Sequence, residues 1–146
     1  MYNQPEVALE KYELTVSRII KGRGAYICDT GIGQKLLVPY RGHEQRAGTL
    51  RDTLAFIQRN GMDVEQISQT KEQCIISRDN CEDAYILKDY RAGRECSTDS
   101  IDDMRGGSRA LAQLHNILEK YPLLSDIEVE TVSYTHLRAH ETRRHL

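Results

Sequence analysis

Apolar and polar residues alternate over three short stretches near the start of the chain, and glycine-containing turns separate them. Residues 12–20, 25–30 and 34–38 are rich in β-branched and other apolar side chains, which is typical of strands. The turns fall at 21–24 and 31–33, and Pro39, which cannot donate to a β-ladder, ends the third stretch. The pattern predicts an antiparallel meander of three strands.

The apolar period then changes to that of a helix. Ala47, Leu50, Leu54 and Ile57 predict a helix from about His43 to Asn60, with Gly61 as its C-terminal stop. Strand patterns follow at 64–68, 73–77 and 84–90, the first of them the weakest. A second helix is predicted from about Asp102 to Lys120, with an apolar face formed by Leu111, Leu114, Ile117 and Leu118. The order of elements predicts an α+β fold.

The composition is ordinary for a soluble globular protein: 39% of the 146 residues are hydrophobic and 29% are charged. No apolar run approaches the roughly 20 residues of a membrane helix, and the first residues lack the pattern of a signal peptide. We therefore expect synthesis in the cytoplasm and no membrane partner. The four cysteines form no C-x-x-C motif, so we expect reduced thiols and no metal site.

The formal net charge of −2 is unevenly distributed. Residues 132–146 hold three Arg and one Glu, so the remaining chain carries 17 basic and 21 acidic residues, a net charge of −4. Such a body has no basic field for nucleic acid, and no nucleic-acid partner is expected.

The last fifteen residues differ in character from the rest. His136 and His140 have the i, i+4 spacing of two metal ligands on a helix. However, the eleven residues 132–142 match one reading frame of a transposon-type sequencing adapter, which is a specific match. We therefore expect 132–146 to be a disordered, non-native tail and the natural protein to continue past Thr131.

Several short motifs resemble the spore coat kinase-like family of the CotS type, within the aminoglycoside-phosphotransferase and protein-kinase-like fold. Tyr12-Glu13-Leu14 with Lys21-Gly22-Arg23-Gly24-Ala25 resembles the opening of that family. Residues 87–90 with 93–96 resemble its hinge, and residues 110–115 resemble its first large-lobe helix. Together the motifs extend over about residues 6–121.

The resemblance implies a protein-kinase-like small lobe, an antiparallel five-stranded sheet plus one helix, followed by the first helix of a truncated large lobe. It divides the chain into the lobe, 1–91, a hinge, linker and first helix, 92–131, and the tail, 132–146. The implied chemistry is phosphoryl transfer, in which the protein positions ATP and metal. The full-length protein would then use ATP and Mg²⁺, although this fragment is expected to hold no cofactor.

The resemblance also implies five candidate cofactor-binding residues. Gly22, Arg23 and Gly24 form the turn expected over the phosphates, Glu44 is the expected helix glutamate, and Asp89 lies in the expected hinge. Each has a plainer interpretation: the turn is then a simple hairpin, and Glu44 a first-turn acid that favours the helix dipole.

One departure from the family pattern bears on function. The strand-three lysine that pairs the phosphates would stand at position 38, where this chain has Val38. Lys35 lies three residues earlier, so strand alternation points it to the other face, and we expect it to be solvated. No residue is assigned a catalytic role, and the fragment is expected to be inactive because the catalytic loop of the family lies in the large lobe.

Three functions remain open on the sequence. The first is a degenerate, non-catalytic binding or structural module in spore coat assembly, with other coat proteins as partners. The second is a truncated ATP-dependent phosphotransferase of the aminoglycoside-phosphotransferase class. The third is an unrelated α+β domain, which a helix 43–60 detached from the first three strands would favour. On the first two, a missing C-terminal lobe would pack on the helix 102–120.

Overall fold

The computed structural model describes residues 2–121, so the expectation for the tail 132–146 concerns residues outside this range. The described residues form two compact units, one that ends at Glu95 and one that begins at Cys96. The first unit holds the helices α1 (Pro5–Leu9) and α2 (Glu44–Arg59) and five strands: β1 (Val16–Lys21), β2 (Tyr26–Thr30), β3 (Gly33–Pro39), β4 (Ser77–Arg78) and β5 (Ala84–Asp89). The second unit holds α3 (Ile101–Leu118).

The five strands form one antiparallel sheet in the order β1-β2-β3-β5-β4. The first three strands are the predicted meander, and β5 returns from α2 to pair with β3. The fold class expected from the sequence, an α+β lobe with a five-stranded antiparallel sheet, is therefore confirmed.

Each face of the sheet carries its own apolar core. On the face that we call the α1 side, Ala8 and Leu9 pack with a set of residues from the sheet and the preceding turn: Tyr12, Cys28, Leu37, Tyr85 and Leu87. On the opposite face, the α2 side, Ala47 of α2 packs with Ile67, Ile75 and Ile86, and Val38 joins this cluster. The helix α2 thus packs on β3 and β5, which disfavours the unrelated, detached-helix architecture.

The short helix α1 was not predicted from the sequence. Its signals are Pro5 in the first turn, where a missing N–H costs nothing, and Glu6 in the same turn. Five residues are too few for a helix to be stable alone in water. Burial of Pro5, Ala8 and Leu9 against the sheet therefore stabilises it.

The predicted helix 43–60 is confirmed as α2 with nearly the expected bounds. His43 is its N-cap residue and Asn60 its C-cap residue. Gly61 follows with φ +97°, a left-handed conformation that glycine adopts without a Cβ penalty. Leu50 departs from the expected apolar stripe because it is exposed, whereas Ala47 and Ile57 are buried.

The strand predictions between α2 and β5 were largely wrong. Of 73–77 only Ser77 lies in a strand, and Gln73 has φ +66° in a turn that the Thr70 hydroxyl closes by accepting from the Cys74 N–H at 3.0 Å. Of 64–68, only Ile67 forms an isolated bridge, to Lys88. The two segments share one edge of β5: β4 pairs with its start, and 66–68 lies along its end through the Ser68 N–H to Leu87 oxygen bond of 2.8 Å.

In the second unit, α3 begins with a capped turn. The Ser100 hydroxyl accepts from the Asp103 N–H, and Asp102 and Asp103 lie in the first turn. The apolar face expected on this helix is uneven: Leu111 is 54% exposed, whereas Ile117 is buried. Ile101 and Met104 are also exposed. None of the helices within residues 2–121 is both long and apolar enough to cross a membrane.

The buried pair Leu37 and Leu87 generates a stability prediction. Both side chains are fully buried and directly paired between β3 and β5. We expect Leu37→Ala to lower the free energy of unfolding by about 2–5 kcal/mol, because it leaves a cavity in the core. Urea denaturation followed by circular dichroism measures the change.

Ile32→Ala is the matched control, since Ile32 is 71% exposed in the β2–β3 turn. Its change should stay within about 0.5 kcal/mol. Equal effects of the two substitutions would contradict this assignment of the core.

Candidate functional site

The strand register decides which side chains share a face of the sheet. Lys35 pairs with Cys28 and Asp89, and Val38 pairs with Ile86. Paired residues point to the same face, and neighbours along a strand alternate. The residues Lys21, Tyr26, Lys35, Leu37, Pro39, Tyr85, Leu87 and Asp89 therefore lie on the α1 side, and Ile20, Ile27, Leu36, Val38, Ile86 and Lys88 lie on the α2 side.

Position 38, where the family resemblance calls for a lysine, is part of the apolar core. Val38 is half-buried and packs with the cluster that contains Ala47 and Ile86. A valine at this position offers no charge to a phosphate. The α2 side of β3 thus carries Leu36, Val38 and the uncharged Gln34, and no cation.

Lys35 lies on the α1 side, and the expectation from strand alternation is confirmed. The expectation that it is solvated was wrong, because its side chain is only 14% exposed. Its ammonium donates to the Asp89 carboxylate at 2.6 Å, between two directly paired strand residues. The charge of Lys35 is therefore neutralised within the sheet.

Asp89, the candidate hinge residue, is held by several groups. One carboxylate oxygen accepts from Lys35, and the other accepts from the Gln66 N–H at 3.0 Å and lies 3.8 Å from Arg91. Burial alone would raise the pKa of Asp89, but these hydrogen bonds and the charges of Lys35 and Arg91 outweigh it and lower the pKa. Asp89 is thus an ionised structural group that joins β3, β5 and the segment 66–68.

The glycine turn between β1 and β2 is closed by its own backbone. The Gly22 N–H donates to the Ala25 oxygen at 2.8 Å, and Gly24 has φ +75°. No atom lies within 4 Å of the position that a Cβ on Gly24 would occupy, so the backbone there is open to a ligand. Arg23 is exposed at the tip of the turn.

The structure does not bring the five candidates together. Gly22, Arg23 and Gly24 lie in the β1–β2 turn, at the same end of the sheet as the start of β5. Asp89 ends β5, four residues or about 13 Å beyond Tyr85. Asp89 also lies on the face of the sheet opposite α2. Glu44 is an exposed residue in the first turn of α2 itself. The five residues therefore do not line one pocket.

Sequence reasoning missed a transverse row on the α2 side. Ile20 pairs with Ile27, Ile27 with Leu36, and Leu36 with Lys88, so four strands contribute one residue each. Ile27 and Leu36 are half-buried, Ile20 is 36% exposed, and the Lys88 ammonium lies 3.1 Å from Glu65. The row is an apolar platform with one ion pair at its edge. Only the strand register reveals it, because the four residues are far apart in sequence.

The described residues offer little other chemistry. Burial, and to a lesser extent the charge of Asp29, raises the pKa of the Cys28 thiol to about 11, so this buried thiol is not a nucleophile near neutral pH. All four cysteines are free thiols. Among residues 2–121 no group of three or more His, Cys, Asp or Glu side chains is arranged to hold a metal ion.

Comparison with known proteins rests on structure alone. No family model matches the chain, and no curated protein matches its sequence. A crystal structure of an aminoglycoside phosphotransferase from Alicyclobacillus acidocaldarius superposes with a TM-score of 0.68 over 78% of this chain, at 14% identity. The match spans 35% of that phosphotransferase.

The fold is that of a kinase-like small lobe. At 14% identity the likeness establishes the fold alone, and the chain spans about a third of the length of that structure. The architecture expected from the family resemblance is therefore confirmed at the level of the phosphotransferase fold.

The Lys35–Asp89 pair generates a prediction about stability and pH. We expect Lys35→Met to lower the free energy of unfolding at pH 7 by about 1–3 kcal/mol, because Asp89 is only 21% exposed and loses its cation. The pKa of Asp89 is lower in the folded state than the ordinary value of about 3.9. The stability it supplies is thus complete above that pH and is lost as the pH falls through the folded-state pKa.

The difference between the wild type and Lys35→Met should therefore shrink below about pH 4. Urea denaturation from pH 3 to pH 7 measures it. Arg51→Ala is the control, since the Arg51–Asp52 pair lies between neighbours on the surface of α2, and its effect should stay below about 1 kcal/mol. A difference that stays constant with pH would show that the ion pair does not stabilise the fold.

Proposed function

We propose that this chain is the small-lobe portion of a spore coat-associated kinase-like protein, in which the lobe is a degenerate, non-catalytic binding module. The observation that carries the proposal is the division of β3 between the two faces of the sheet. Val38 packs into the α2-side core, and Lys35 forms an ion pair with Asp89 on the other face. On this proposal neither residue binds a phosphate on the α2 side.

The remaining α2-side features fit a module that binds without activating. The platform of Ile20, Ile27 and Leu36 can receive a flat apolar group, while the Lys88 ammonium is already paired with Glu65. The spore coat assignment rests on the sequence motifs 12–14, 21–25, 87–96 and 110–115. An antibody raised against this chain should label the coat fraction of purified spores, and labelling confined to the vegetative cytosol would contradict the assignment.

A second candidate function is an ATP-dependent phosphotransferase of the aminoglycoside-phosphotransferase class, of which this chain is one part. The structural likeness to a protein of that description favours it. The two candidates differ in whether the triphosphate of ATP adds affinity at the α2-side platform.

Methyl-resolved NMR separates the two candidates. Adenosine and Mg-ATP are titrated separately, and the Ile20, Ile27 and Leu36 methyl signals report on the platform. We expect adenosine and ATP to give equal dissociation constants within about threefold, because no unpaired cation on the platform contacts the phosphates. ATP that binds at these methyls more than about tenfold tighter than adenosine would favour the phosphotransferase.

Val38→Lys tests whether a cation at position 38 raises the affinity of the platform for ATP. Val38→Met is the size-matched control. A gain in affinity for ATP over adenosine in the lysine variant alone would confirm that position 38 faces the phosphates of a bound nucleotide. Because Val38 packs with the core, either substitution can affect folding. Circular dichroism therefore checks that both variants are folded.

We also propose that α3 contacts a further part of a longer protein. Ile101, Met104 and Leu111 are 68%, 55% and 54% exposed, and their spacing places them on one side of α3, where an exposed apolar patch marks an interaction surface. Ending the chain after Glu95, where the first unit ends, should raise its solubility, as measured by the protein concentration at which light scattering begins. The double variant Ile101→Ser with Leu111→Ser should give part of the same gain in solubility. If neither the truncation nor the double variant is more soluble, the exposed face of α3 is not an interaction surface.

A further inference from the structure

A cleft of about 760 Å³ lies at the end of the sheet where the glycine turn meets the β4–β5 hairpin. Its walls include Lys21, Tyr26, Pro39 and Tyr85, which the register places on the α1 side, away from the α2-side platform. Gly22 and Gly24 also line it. The volume is in the range of small-molecule sites, about 300–1,000 Å³. We call this space the basic cleft.

Three cations from separate elements line the basic cleft: Lys21 at the end of β1, Arg41 after β3, and Arg78 in β4. Within residues 2–121, none of the three belongs to an ion pair. Glu82 and Asp83 also line the cleft, which leaves its wall with a net positive charge on a chain whose net charge is −2. The cleft is thus a site of local net positive charge whose three cations form no ion pair with the acids beside them.

The segment that carries Arg41 is fixed at both ends. The Tyr40 N–H donates to the Ala84 oxygen at 2.9 Å, and the Tyr40 hydroxyl donates to the His43 oxygen at 2.8 Å. A Cβ on Gly42 would lie 2.5 Å from that hydroxyl, so only glycine allows the tyrosine to close the loop. Arg41 therefore projects from a loop of defined shape.

The opposite rim is built on a buried carboxylate. Asp79 is 3% exposed and accepts from the Asn3 side chain at 2.8 Å, from the Tyr85 hydroxyl at 3.0 Å, and from the Cys81 and Asp83 N–H groups. Burial alone would raise the pKa of Asp79, but these hydrogen bonds together lower it, so it is ionised near neutral pH. Asn3 also donates to Asp83, which engages one of the two acids that line the cleft.

We propose that the basic cleft binds a small molecule that bears a phosphate or diphosphate group. Two guanidinium groups and one ammonium group suit the charge and geometry of a phosphate dianion. Gly24, with open space at its Cβ position, lets the backbone approach the same group. The Tyr26 and Tyr40 rings provide apolar wall for the remainder of the molecule. This site is independent of the α2-side platform and of the proposed function.

Inorganic pyrophosphate is the probe, titrated into the 146-residue chain without divalent cation. Isothermal titration calorimetry gives the affinity, and backbone NMR gives the location, with shifts expected at Gly24 and Arg41 and none at the Ile27 or Leu36 methyls. The variant Lys21→Ala with Arg41→Ala should weaken binding by about tenfold or more, because two charge-assisted contacts are lost. Arg46→Ala is the matched control, since Arg46 is an exposed arginine on α2, and it should bind as the wild type does.

The outcomes are decisive in both directions. Loss of affinity in the double variant, with cleft shifts in the wild type and normal circular dichroism in both, supports the site. Absence of pyrophosphate binding at millimolar concentration, or equal losses in the double variant and Arg46→Ala, overturns it. Shifts confined to the α2-side methyls would also overturn it and would count instead against the proposed non-catalytic platform.

Discussion

The antiparallel pairing of β3 with β5 is the constraint on which the first unit depends. It joins residues 33–39 to residues 84–89 across the whole of α2 and the loops that follow. Leu37 and Leu87 meet in the α1-side core, and Val38 and Ile86 meet in the α2-side core. Lys35 and Asp89 close the same ladder with an ion pair. The register of β3 with β5 therefore determines which residues form each core and pairs Lys35 with Asp89.

Because of that register, Lys35 cannot both pair with Asp89 and bind a phosphate on the α2 side. A lysine in a strand can form an ion pair on one face of the sheet or bind a ligand on the other face. It cannot do both, because alternation points its side chain to only one face. Here it faces Asp89, which also binds the Gln66 N–H and so depends on an ionised, paired state. Moving Lys35 to a phosphate would leave a largely buried carboxylate without its cation, which costs more than an exposed contact returns.

The sequence was informative wherever a local pattern decides the structure. The strands 16–39 and the helix 44–59, with Gly61 after it, follow from alternation, period and turn residues. The helix α1 and the edge segments 66–68 and 77–78 do not, because packing against the sheet and the edge of β5 decide them. The absent lysine at position 38 was visible in sequence. The Lys35–Asp89 pair was not, since it depends on the register of residues 54 positions apart.

The sheet offers two dissimilar surfaces to ligands. On the α2 side the row of Ile20, Ile27 and Leu36 is apolar, and its one cation, Lys88, is paired with Glu65. At the end of the sheet, three cations line the basic cleft beside the glycine turn and form no ion pair among the described residues, while the nearby acid Asp79 accepts several hydrogen bonds. A glycine turn at the end of a sheet can expose its backbone to either face. In this chain Lys21, Arg41 and Arg78 line the cleft at the end of the sheet and none of them belongs to the α2-side platform, so an anion is favoured in the cleft rather than on the platform.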